Sequence, residues 1–277
     1  MIFEVDPSLP NPDDLKRDAD AMILASNLYE STKSGPLTIL PNSMAYLPFS
    51  LVVPDDELQS MSSKASSLSS LSTQERNIRH QRFQRHLGQI EFIFDLGNWS
   101  TSFQADAEKK YATCLQILQY PYSRGSIHLP RGKLDPETAL QSPVIDPRYY
   151  EGAGELDLEA MVHCARFADK ISQTKPLSNI IRGRAFPTPS PSDEFKTWVK
   201  DTTITDWHPV GTCAMGGNLG IKGGVVDSRL RVYGVKNLRV ADASIMPLQI
   251  SAHLQATVYA IAEKAAAMIL EDSRKEA

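Results

Sequence analysis

Residues 91–120, EFIFDLGNWSTSFQADAEKKYATCLQILQY, hold two short apolar runs, EFIFDLG and YATCLQILQY, separated by a polar, turn-rich stretch. Alternation over a few residues, bounded by glycine, asparagine and serine, is the pattern of strands joined by loops. GSIHLP at 125–130 adds a third such run. Together they predict antiparallel strands. His128 alternates with Ile127 and Leu129 and so faces the opposite side, which reads as a strand-surface histidine. SPVIDPRYY at 142–150 is an extended, proline-bounded segment.

Helical patterns flank the strands. Residues 12–34 predict one helix, with Asn11 or Asp13 placed to cap it, Leu15, Ala19, Met22, Ile23 and Leu28 at helical spacing, and Gly35-Pro36 to end it. Residues 60–72, SMSSKASSLSSLS, are serine-rich and read as a mobile surface connection. A charged helix starts at Thr73 and ends by Gly88; His80 and His86 ride among its arginines and read as parts of a solvated face. Residues 155–174 form an amphipathic helix, with Leu156, Met161, Ala165, Ala168 and Ile171 close to one face and His163 as a structural passenger. A proline-rich linker over 186–192 precedes a short helix over 193–200. Near the end, NLRVADASIMP (237–247) reads as a short buried strand running into a turn, and HLQATVYAIAEKAAAMILED (253–272) as a largely apolar helix.

The bulk properties narrow the function. The 277 residues suffice for one large or two small domains with a core of their own. A net charge of -4 with no basic block speaks against a nucleic-acid partner. Cys114, Cys164 and Cys213 form no CxxC pair and are odd in number, so they read as small buried or half-buried thiols rather than a disulfide framework. The first residues have neither a basic nor an apolar signal region. The most apolar stretch, AIAEKAAAMIL, is interrupted by Glu263 and Lys264 and is too short to span a bilayer. The expectation is a cytoplasmic protein with no membrane partner.

Two histidines stand out. His208 lies in DWHPVGTCAM (206–215) and His253 in SAHLQAT (251–257), just before the last helix. Two imidazoles at one reacting centre suit removal of a hydroxyl proton, one taking the proton and the other holding the oxygen. Their separation along the chain does not itself bring them together. No HxxxH, HExxH or GxSxG occurs, so neither a metal site nor a serine-hydrolase elbow is indicated. Phe92, Phe94 and Trp99 read as core packing, with a substrate pocket as the other option.

DWHPVGTCAMG (206–216), GGVVDSRLRVYGVKNLRVADASIMP (223–247) and SAHLQATVYAIAEKAA (251–266), in that order, closely resemble the C-terminal part of the glucose-methanol-choline (GMC) flavin oxidoreductases. LYESTKSGPLT, PNSMAYLP, SRGSIHL and SPVIDPRYY resemble that family's substrate domain, so the resemblance runs along essentially the whole chain. It implies an α+β fold. Residues 1–195 would be an antiparallel-sheet substrate domain backed by helices, and residues 196–277 a C-terminal fragment of the α/β FAD-binding domain. His208 matches the family's catalytic base and His253 its second active-site position. Asp242 and Ala243 match positions lining the flavin; Gln255, Ala256 and Thr257 match positions near the pyrimidine end of the ring. The last helix would point its N-terminus at the flavin N1–O2 edge.

The resemblance also sets a problem. Family members hold the FAD diphosphate on a GxGxxG turn, and this sequence has none. A strand like NLRVADA, without its parallel neighbours, would expose edges and apolar surface. Three readings follow. The chain is the C-terminal part of an FAD-dependent oxidoreductase acting on a small-molecule alcohol, completed by a complementary FAD-domain chain or by homo-oligomerisation. Or it is a flavin-free acid/base enzyme, an isomerase, dehydratase or cyclase, with no cofactor. Or it is a non-catalytic subunit of an intact homologue.

Overall fold

The computed structural model describes residues 1–38, 43–69, 73–84, 87–130, 142–188 and 195–276. In chain order the elements are β1 (Ile2–Val5), α1 (Pro12–Arg17), α2 (Ala19–Thr32), β2 (Ser43–Leu47), α3 (Phe49–Val52), α4 (Asp55–Ser67), α5 (Thr73–Gln84), β3 (Ile90–Leu96), β4 (Lys110–Leu118), β5 (Ser126–His128), β6 (Val144–Asp146), α6 (Glu155–Ser172), β7 (Ile181–Phe186), α7 (Phe195–Thr202) and α8 (Gln255–Glu276). The fold is mixed helix and sheet, and the main sheet is antiparallel. The chain packs as two units, residues 1–118 with 155–203, and residues 119–154 with 204–276. This spatial division falls eight residues after the sequence boundary at 195, and it puts 119–154 with the C-terminal segment. Among the described residues no helix is long and apolar enough to cross a membrane.

The first unit is built on a five-stranded sheet in the order β2-β3-β4-β1-β7. β3 and β4, read from the sequence, pair from Ile90↔Leu118 to Leu96↔Ala112. β1 was not legible as a strand, yet it is an interior one, flanked by β4 and β7. Its Ile2, Phe3 and Val5 are buried, and so are Phe92, Ile93, Tyr111 and Cys114 of β3 and β4. Helix α6 packs on β4 and lays Phe167 against Phe92, ring centroids 5.5 Å apart. Its apolar stripe is the expected one: Leu156, Ala165 and Ala168 are buried, and Met161 and Ile171 half-buried. Arg184 of β7 reaches Asp169 of α6 at 3.4 Å and lies over the Phe195 ring. Burial pushes the Cys114 thiol up to about 11 and that of Cys164 higher still, so both are inert core groups, as expected.

The structure corrects several sequence readings in this unit. The single helix over 12–34 is two. Asp18 is extended, ends α1, and turns its carboxylate to the N–H groups of Asp20 and Ala21 to cap α2. Asn11 caps α1, as expected. The apolar face of α2 is not a core face: Met22, Ile23 and Leu28 are exposed. The serine-rich stretch is helical as far as Ser67, and residues 70–72 lie outside the described ones. Asp55, Asp56 and Glu57 suit its N-terminus, Ser63 and Ser66 donate to carbonyls four residues back, and Met61 and Ala65 bury one face. His80 is half-buried against the Ser66 hydroxyl at 3.1 Å, while His86 lies outside the described residues. Trp99 is 47% exposed and so is not core, whereas Phe92 is. His163 has the structural role expected of it, buried with Nε2 2.9 Å from Glu57.

The second unit has the ribbon β5–β6, in register Ile127↔Ile145, with His128 exposed. Apart from α8, the other described residues of this unit are loops, isolated bridges and short 3-10 turns at Gly152–Gly154, Gly217–Lys222 and Ala243–Ile245. NLRVADA is not a buried strand: Leu238 is 48% exposed, and the segment makes one isolated bridge, Arg231↔Arg239. Strand geometry needs a neighbouring ladder, and the described residues of this chain supply none for it. Glycine permits the tight crossings that replace a sheet, for a Cβ on Gly224 would lie 2.2 Å from the Ala214 carbonyl oxygen. A small core of Val226, Leu230, Ile245 and Ala265 sits beneath α8. Asp272, near the end of α8, binds Arg229 at 2.8 Å and also pairs with Arg231 and Arg239. Desolvation pushes its pKa up, but the Arg231 and Arg229 hydrogen bonds outweigh that and hold the carboxyl below its ordinary value. This stabilisation is complete above the ordinary carboxylate pKa and is lost as pH falls through the lowered one. Asp272→Ala is therefore expected to raise amide hydrogen exchange over the last turns of α8 at neutral pH, a difference from wild type that shrinks in acid. Equal exchange in both proteins at neutral pH refutes the clamp.

Candidate functional site

The site begins at a backbone turn. Trp207 has φ +55, a left-handed conformation that a bulky residue adopts only when its surroundings impose it. Its N–H donates to the Thr205 hydroxyl at 3.0 Å, and its own side chain is 75% exposed. The turn places Asp206 and His208 on one side, with Asp206 Oδ2 2.9 Å from His208 Nδ1. The following residues are stitched to a second loop: Cys213 N–H donates to the Ser244 carbonyl and Met215 N–H to that of Ile245, each at 3.0 Å. Gly211 lies against the Met246 carbonyl, close enough for a Cβ to touch it at 3.4 Å.

His208 and His253 meet. Their ring centroids are 5.2 Å apart with planes at 86°, an edge-to-face pair. His208 is half-buried and His253 exposed. Leu254, buried, follows His253, and its carbonyl accepts from Val258 N–H at 2.9 Å as α8 begins.

The other residues singled out in the sequence lie on the same two segments. Asp242 accepts from Ser244 N–H at 2.8 Å, which caps the short turn Ala243–Ile245 that pairs with Cys213 and Met215. Gln255, Ala256 and Thr257 are the first turn of α8; the first two are exposed and Thr257 is half-buried. That turn carries no acidic residue, so its N–H groups and the positive end of a 22-residue helix are open to an electron-rich group. This donor set fits the electron-rich edge of a flavin ring. The diphosphate of FAD is another matter, since no glycine-rich turn of the GxGxxG kind is in the sequence. Among the described residues no three His, Cys, Asp or Glu side chains converge as a metal site would require.

Sequence reading passed over Asp206. Its only signal was the Asp-x-His spacing, which an ordinary loop also carries. His253→Ala is expected to move the ring-proton resonances of His208, through loss of the ring current of its neighbour, and to leave those of His128 in place. Unmoved His208 resonances refute the pairing.

Comparison with known proteins places the chain. The family model described as GMC oxidoreductase matches residues 121–262, just over half of the sequence. Dehydrogenase mpl7 of Monascus purpureus is 29% identical over 298 residues, covering 98% of this chain and 46% of that protein. An uncharacterised GMC-type oxidoreductase of Mycobacterium bovis is 41% identical over 156 residues, which cover 55% of this chain and 28% of the relative. Among solved structures, a formate oxidase is 25% identical with a TM-score of 0.74, covering 99% of this chain and 46% of its own. An FAD-dependent oxidoreductase from Chaetomium thermophilum, 24% identical, shares the fold with a TM-score of 0.75 over 99% of this chain and 47% of its own. The chain thus spans about half the length of the relatives it matches from end to end.

Proposed function

The chain belongs to the GMC oxidoreductase family, and from that premise we propose that it serves the FAD-dependent oxidation of a CH–OH group, with His208 taking the hydroxyl proton and His253 holding the oxygen. The observation that carries this reading is the close pair of imidazoles. An alcohol that becomes a carbonyl gives up its O–H proton as well as a hydride from carbon, and water is a poor base for that proton at neutral pH. An imidazole accepts it readily, and a second imidazole donates a hydrogen bond to the oxygen while charge develops there. FAD, when bound, supplies the hydride acceptor. Asp242 and Ala243 would lie along the flavin, and the first turn of α8, Gln255 to Thr257, would face its electron-rich edge. In this reading residues 1–195 form the substrate-binding domain, and residues 196–277 belong to the FAD-binding domain.

The rest of the flavin site would come from an FAD-binding part outside these residues, on the same polypeptide or another. Exposed apolar side chains support a covering part of that kind: Tyr259, Ile269 and Leu270 on α8, and Val235 and Leu238 before it. The same two imidazoles would also serve a flavin-free acid/base enzyme, and one experiment separates the two. The visible spectrum of the purified chain is recorded with added FAD, alone and with an FAD-binding half from a relative, followed by anaerobic addition of alcohols. Expected are bound-flavin bands that bleach with alcohol, and a His208→Ala variant that keeps the bands but bleaches about 10²–10⁴-fold more slowly. Bands bleaching at equal rates in both proteins refute His208 as the base. No bound flavin under either condition refutes the flavin reading.

A further inference from the structure

We propose that Asp206 is a positioning residue for His208: its carboxylate keeps the imidazole proton on Nδ1 and leaves Nε2 as the nitrogen that accepts a proton. The role rests on the reading of His208 as the base. The carboxylate charge favours one tautomer. Asp206 Oδ2 lies 2.9 Å from Nδ1, a charge contact rather than an aligned hydrogen bond, and is itself shielded from solvent. A carboxylate oxygen and a bare ring nitrogen are both electron-rich, and at that separation their lone pairs repel. The same separation is favourable once Nδ1 carries a proton. Because the oxygen is shielded, water screens the interaction little.

Local backbone makes the placement durable. Asp206 and His208 flank Trp207, whose φ of +55 and hydrogen bond to Thr205 hold the turn. The His253 ring stands at 86° to that of His208 and limits its rotation from another side. His208 is thus confined in orientation by two neighbours, and Asp206 adds a preference between its nitrogens. A positioned carboxylate that selects the tautomer of a catalytic imidazole and stabilises its cation is an established physical arrangement in other enzymes.

The test reads the tautomer directly. The chain is labelled with ¹⁵N-histidine, and the His208 nitrogens are followed by long-range ¹H–¹⁵N correlation, at a pH where the ring is neutral, in wild type, Asp206→Asn and Asp206→Ala. Expected is a protonated Nδ1 in wild type and a shift towards protonated Nε2 in both variants. Circular dichroism identifies a variant that fails to fold, and the other variant then supplies the comparison. In the flavin assay, Asp206→Asn is expected to lower the maximal rate of alcohol-driven bleaching by about 10²-fold or more with little change in half-saturation. A wild-type ring protonated on Nε2, or a tautomer equal in all three proteins, overturns the positioning role whatever the chain oxidises. A tautomer that switches while bleaching keeps its rate overturns the catalytic consequence of the positioning, and the His208→Ala variant then decides separately whether His208 is the base.

Discussion

Backbone N–H and C=O groups taken out of water must find partners, and the two units meet that demand by different means. In the first, five strands satisfy one another edge to edge, and β1 is held on both sides by β4 and β7. In the second, isolated bridges and loop-to-loop bonds do the work, among them Cys213 to Ser244 and Met215 to Ile245. The segments bearing His208, Asp242 and Met246 are tied together by those few bonds.

This difference suits the proton-handling site proposed for His208 and His253. A sheet presents side chains at fixed repeats, whereas a stitched loop turns neighbouring residues to unusual angles. Trp207 in a left-handed conformation brings a carboxylate two residues away to within 2.9 Å of an imidazole. Such an arrangement persists only if the surrounding loop is anchored, and the small core of Val226, Leu230, Ile245 and Ala265 includes Ile245, whose carbonyl accepts from Met215 in the loop that follows His208. The cluster at Asp272 holds the far end of α8, the helix whose first turn follows His253.

Legibility in the sequence tracked the range of the interactions involved. α6 was readable because its apolar residues recur at helical spacing within one segment, and β3 and β4 because their runs are bounded by turn residues. β1 was not, because IFEV is too short to carry a period and becomes a strand only through partners a hundred residues away in sequence. The serine-rich α4 was misread because composition conceals a helix whose serine hydroxyls are satisfied by its own carbonyls. NLRVADA erred the other way: its pattern is that of a strand, but a strand exists only with neighbours to pair with.

The sequence by itself determined the family, the mixed helical and antiparallel architecture, and the two histidines worth weighing, because these reside in residue types and short spacings. Only the tertiary structure decided that His208 and His253 stand edge to face and that Asp206 sits against Nδ1. The physical reason is that ring proximity comes from loop-to-loop hydrogen bonds and one left-handed residue, and neither leaves a periodic trace in the chain.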